Sequence, residues 1–111
     1  MSERETKLLL EDIASAIDKI FNYTEAMSFE DYEFDSKTKD AVERNFEIIG
    51  EAASRVPDDF KIENPFIEWR ILKDFRNFII HEYFGVNNQI IWDTIQFRLS
   101  DLREKISEIL Y

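Results

Sequence analysis

The sequence predicts an all-α fold, an antiparallel four-helix bundle, and three observations carry that prediction. Apolar residues recur at helical spacing in four separate segments. Only two glycines and two prolines interrupt 111 residues, so long helices are left whole. No pair of alternating segments joined by a turn reads as a strand pair, and there is no internal repeat or low-complexity tract. The length suits one domain, residues 1–111, around a single modest core.

In the first helix Leu9, Ile13, Ile17, Ile20, Phe21 and Thr24 form one stripe, with Glu11, Asp12, Asp18 and Lys19 mostly off it. An acidic and aromatic connector runs from Met27 to Ser36. Asp35 or Ser36 then caps a second helix whose Ala41, Val42, Phe46, Ile49, Ala53 and Val56 face inward. Within it, Gly50-Glu51-Ala52-Ala53-Ser54 is a patch of small residues. A glycine costs a helix interior about 1 kcal/mol relative to alanine, which argues for a close helix crossing inside the bundle ahead of a subunit contact. Val56-Pro57-Asp58-Asp59 reads as a stop and a turn.

The third helix is expected to start near Asn64-Pro65, with proline at the first helical position. It carries Trp69, Leu72, Phe75, Phe78 and Ile79, and Ile71 and Ile80 widen the apolar arc, as in a helix buried on more than one side. Gly85 is a natural stop. The fourth helix, roughly Asn88 to Leu110, uses Ile91, Ile95, Leu102, Ile106 and Ile109. Its other face mixes charges (Arg98, Asp101, Arg103, Glu104, Lys105, Glu108), as a solvated surface does.

Composition narrows the chemistry. There is no cysteine, which excludes disulfides, thiolate catalysis and cysteine-ligated zinc. A single histidine argues against an all-protein zinc site, and no metal or cofactor is expected, although abundant carboxylates leave a magnesium site open. No apolar run approaches the ~20 residues that span a bilayer. The start, Met1-Ser2-Glu3-Arg4-Glu5, lacks the basic and apolar parts of a signal peptide. The expectation is a cytoplasmic protein with no membrane partner. The net charge of −10 opposes an extended nucleic-acid surface and suits a basic protein partner or solubility. Local positive charge exists nonetheless at Arg70, Lys73 and Arg76, and Arg44 joins them if the fold brings it close.

The most informative stretch is Arg76-Asn77-Phe78-Ile79-Ile80-His81-Glu82-Tyr83, which holds the sole histidine. Arginine grips phosphate bidentately, and imidazole exchanges protons near neutral pH. On an ideal helix Asn77 and His81 share a face, whereas Arg76 and His81 diverge by about 140°. The latter two converge on one phosphate only if the long arginine reaches around, the helix distorts near Gly85, or a second subunit contributes. RNA cleavage without metal needs a base for the 2′-hydroxyl and an acid for the departing 5′-oxygen. One chain supplies a single imidazole, so a two-fold dimer would bring two copies of His81 and two of Arg76 to one cleft. The same residues admit structural readings. His81 then is a satisfied residue near a helix end, Arg76 an ion-pair partner of Asp74 or another acidic residue, Tyr83 an interfacial aromatic, and Glu47 with Glu51 a solvated face ahead of a metal-binding pair.

Taken in order, several blocks resemble the HepT-like toxins of the HEPN superfamily. They are Arg76-x4-His81-x-Tyr83, then Phe84-Gly85-Val86 and Ile91-Trp92-Asp93-Thr94-Ile95. The stretch from Ala41 to Ala53 and the pair Trp69-Arg70 extend the likeness, which runs from about Leu8 to Ile106. The resemblance implies a dimerising helical bundle whose motif helices line a cleft between subunits. It also implies metal-independent RNA cleavage by the toxin of a type VII-like toxin–antitoxin pair. By position, Arg76 and His81 match the catalytic pair, and Asn77 matches the polar residue after the arginine. Tyr83 matches the tyrosine to which a minimal nucleotidyltransferase antitoxin adds AMP. Arg44, Arg70 and Lys73 are the supporting cations for an RNA substrate. The rival reading is a non-catalytic subunit that binds a nucleotide or the nucleotidyltransferase.

Overall fold

The computed structural model describes residues 2–81 and 87–111; the side chains of residues 77–81 are outside that description. The described residues form seven helices and no strand. They are α1 (Glu3–Thr24), α2 (Phe29–Glu33), α3 (Ser36–Arg55), α4 (Asp58–Glu63), α5 (Trp69–His81), α6 (Asn88–Phe97) and α7 (Leu99–Leu110).

Helix α1 starts where Ser2 Oγ accepts the Glu5 amide at 3.1 Å, and Glu3 and Glu5 place negative charge on its N-terminal dipole. Its Leu9, Ile13, Ile17 and Ile20 are buried, as the stripe requires. Thr24 is buried too, because its hydroxyl donates to the Ile20 carbonyl at 2.8 Å and leaves only its methyl to pack. Helix α3 takes its N-cap from Asp35, whose carboxylate accepts the Thr38 amide at 2.9 Å. That hydrogen bond holds the Asp35 carboxyl below its ordinary range. Val42, Phe46, Ile49, Ala53 and Val56 are buried, whereas Ala41 is only half-buried.

Helix α3 is the centre of the molecule. It packs along α1 on one side and along α5 on the other, α7 closes on α1, and α2 bridges α3 and α6. Asp18 and Arg103, both expected on solvated faces, make a two-pronged ion pair at 2.9 and 3.2 Å that ties α7 to α1. Arginine's planar fork makes such a bidentate pair geometrically specific.

Four features differ from the expected four helices, the first being α4, a short helix that begins at Asp58 where only a turn was expected. The connector contains α2, closed by a capping box in which Ser28 and Asp31 satisfy each other's backbone amides. Asn64-Pro65 does not start a helix; Asn64 ends α4, its amide side chain donating to the Phe60 carbonyl. The Trp69 indole donates to the Asn64 carbonyl at 3.0 Å, and α5 begins at Trp69. The expected fourth helix divides at Arg98 (φ −123°, ψ −34°) into α6 and α7. Ile91, Ile95, Leu99, Leu102, Ile106 and Ile109 keep helical spacing straight through this break, so nothing local announces it.

Candidate functional site

The site is built on α5, whose backbone is an unbroken helix from Trp69 to His81. Leu72 and Trp69 are buried against the core, and the Phe75 ring packs on Phe46 of α3 with centroids 5.7 Å apart. Arg70 and Lys73 are exposed, and Arg76 is half-buried. Because the helix is continuous, the register positions of Arg76 and His81 stay about 140° apart, as on an ideal helix. The side chains of Asn77 and His81 lie outside the described residues, as does the whole of Tyr83.

Arg76 sits where α5 passes close against Gly50 of α3. A Cβ placed on Gly50 would collide with Arg76 Cβ, and would lie 2.9 Å from the Leu72 carbonyl oxygen and 3.2 Å from Arg76 Cα. The small patch on α3 is therefore a tight crossing inside the molecule, and the residue it admits is the motif arginine. Among the described residues Arg76 has no carboxylate within ion-pair distance, Asp74 included.

Arg44 is exposed on α3 and pairs with Glu47 three residues on, at 3.3 Å. Such a surface pair is weak, worth a few tenths of a kcal/mol at most in order of magnitude, so it leaves Arg44 able to exchange Glu47 for a phosphate. A groove of about 470 Å³ runs along the other flank of α5. It is lined by Ile71, Leu72, Phe75, Phe97, Arg98 and Lys105 among others, and not by Arg76. Its cations are already matched, Arg98 by Glu68 at 3.8 Å and Lys105 by Asp101 at 2.9 Å.

Two polar groups near the start of α3 were not singled out by the sequence reading. Tyr32 of α2 is fully buried against Trp92 of α6, with centroids 5.5 Å apart, and its hydroxyl has no partner among the described residues. Burial pushes its phenol pKa up, and the charge of Glu43 adds to the rise. Glu43 is half-buried on α3, and burial holds its carboxyl above the ordinary value, reinforced by Asp40 and Glu47 against Lys39. The spacing of Phe29 and Tyr32 on either side of two acids was the available signal.

The sequence profile described as Ribonuclease HepT-like matches residues 13–109. The chain belongs to the HepT-like ribonuclease family. Its curated relatives include a probable ribonuclease HepT of Thermococcus cleftensis, 42% identical over 107 residues that cover 96% of this chain and 97% of the relative. A candidate RNase of Methanocaldococcus jannaschii is 34% identical over 110 residues, covering 99% and 91%. Another, from Caldanaerobacter subterraneus, is 37% identical over 101 residues, covering 91% and 90%. No solved structure matches the chain. The HepT-like match takes in α3, α5 and α6, and so spans both helices that meet at Arg76.

Proposed function

We propose that this chain is a metal-independent endoribonuclease, the toxin of a toxin–antitoxin pair, which cuts RNA in a cleft shared by two copies. The observation that carries the reading is the unbroken α5, which leaves Arg76 and the only histidine on different faces of one chain. A two-fold partner supplies the second imidazole and brings the arginines back to a common phosphate.

In this scheme one His81 takes the proton of the 2′-hydroxyl as that oxygen attacks phosphorus. The bond from phosphorus to the 5′-oxygen breaks, and the partner's His81, protonated, delivers its proton to the departing oxygen. Arg76 stabilises the charge that builds on the phosphoryl oxygens, and Asn77 orients the phosphate or the imidazole. Arg44, Arg70 and Lys73 hold flanking phosphates. The products are a 2′,3′-cyclic phosphate and a 5′-hydroxyl, and DNA, lacking the 2′-hydroxyl, survives. A minimal nucleotidyltransferase antitoxin silences the toxin by adding AMP to Tyr83. The added phosphodiester competes with RNA for Arg76 and fills the cleft.

Arg76→Ala and His81→Ala are each expected to abolish RNA cleavage and growth inhibition with helical content unchanged. Tyr83→Phe is expected to keep cleavage and to gain no mass on incubation with the antitoxin and ATP. Undiminished toxicity in both of the first two variants sinks the assignment. The net charge of −10 favours a second reading, a non-catalytic subunit that docks the nucleotidyltransferase. It predicts a stable complex with that protein and no cleavage by unmodified chain.

A further inference from the structure

Gly50 lies well inside α3, where glycine is less favourable than alanine, and its neighbours Ala52 and Ala53 are buried in the same helix without that penalty. An ordinary close crossing is served by alanine. Here the atoms that a Cβ would meet are Arg76 Cβ, Arg76 Cα and the Leu72 carbonyl oxygen. All belong to the backbone of α5 or to the first atom of a side chain, so none can swing aside. Any residue larger than glycine has to push α5 away from α3 at Arg76.

We propose that Gly50 is a positioning residue for Arg76, an assignment that rests on the reading of Arg76 as the phosphate-stabilising group. Without a Cβ at residue 50, the backbone of α5 seats directly on α3, and this seating fixes where the guanidinium leaves the crossing. The neighbouring contact makes the effect selective. Phe75 is held by Phe46, so a wedge at Gly50 tilts α5 about that aromatic pair and displaces Arg76 in particular. A misplacement of about 1 Å in a group that stabilises a transition state costs on the order of a hundredfold in rate.

The test measures kcat and KM of Gly50→Ala beside wild type and Arg76→Ala on one RNA, at a temperature where circular dichroism shows all three folded. Gly50→Ala is expected to lower kcat about a hundredfold with little change in KM, short of the complete loss in Arg76→Ala. A wild-type kcat in folded Gly50→Ala overturns the proposal. So does a loss that appears in KM with kcat unchanged. Full activity in Arg76→Ala instead defeats the underlying reading of the site. A second arm needs no RNA. Arg76→Gly removes the overlapping Cβ, so Gly50→Ala is expected to destabilise the wild-type background more than the Arg76→Gly background in urea. Equal penalties in the two backgrounds overturn the contact itself.

Discussion

At the scale of single residues, the tension in this chain is between acids that burial disfavours and cations the site requires. Glu43 is the sharpest case, since its carboxyl is held above the ordinary value of 4.5 by burial and by Asp40 and Glu47. Between that value and its folded-state pKa, the folded chain binds more protons than the unfolded one. Stability therefore falls as pH rises through the window, and the penalty is complete above it. Glu43→Gln is accordingly expected to raise the urea midpoint at about pH 7 and to leave it nearly unchanged at about pH 4. An equal gain at both values contradicts the assignment of cause. The motif residues were legible as letters, because arginine, amide and imidazole so close together carry chemical meaning without coordinates. What the letters did not disclose is that Arg76 rests on Gly50. That contact joins residues far apart in the chain, and no local pattern encodes it. Tyr32 was better marked, by its spacing from Phe29 across two acids, but its place under Trp92 is a contact between distant residues.

At the scale of elements, strong periodicity, the side-chain cap at Asp35 and the stop at Val56-Pro57 were read correctly, whereas the start of α5 and the break at Arg98 were not. The stripes of α1 and α3 and the cap at Asp35 follow from local sequence, and local sequence is sufficient for them. The start of α5 at Trp69 depends on an indole reaching back to Asn64, and the break at Arg98 falls within an uninterrupted apolar stripe. The exit from α1 holds one unfavourable conformation. Ala26 has φ 61°, a left-handed backbone that costs an L side chain energy and that glycine adopts freely. Glycine also enlarges the unfolded ensemble, which offsets part of the relief. Ala26→Gly is thus expected to stabilise the protein by about 0.5–1 kcal/mol, read from thermal unfolding. A lower midpoint contradicts the argument.

At the scale of the whole molecule, a chain with net charge −10 pairs a few of its cations with carboxylates among the described residues. Arg98, Arg103 and Lys105 are matched by Glu68, Asp18 and Asp101, and they tie helices together or hold their surfaces. Arg76 is matched by no described carboxylate, and Arg44 only by an exposed neighbour on its own helix. A chain so acidic overall does not bind RNA by a broad basic face. The proposed cleft between two copies would concentrate cations locally, and the same arrangement would answer the shortage of imidazoles. No helix among the described residues is long and apolar enough to cross a membrane. The central claim is that the single histidine cuts RNA without a metal. The most direct measurement incubates RNA in EDTA with protein whose intact mass carries no adduct, beside His81→Ala, and analyses the 3′ ends. The account predicts 2′,3′-cyclic phosphate ends that vanish in the variant. Cleavage that persists in His81→Ala, or none from clean wild-type dimer over several RNAs, contradicts it.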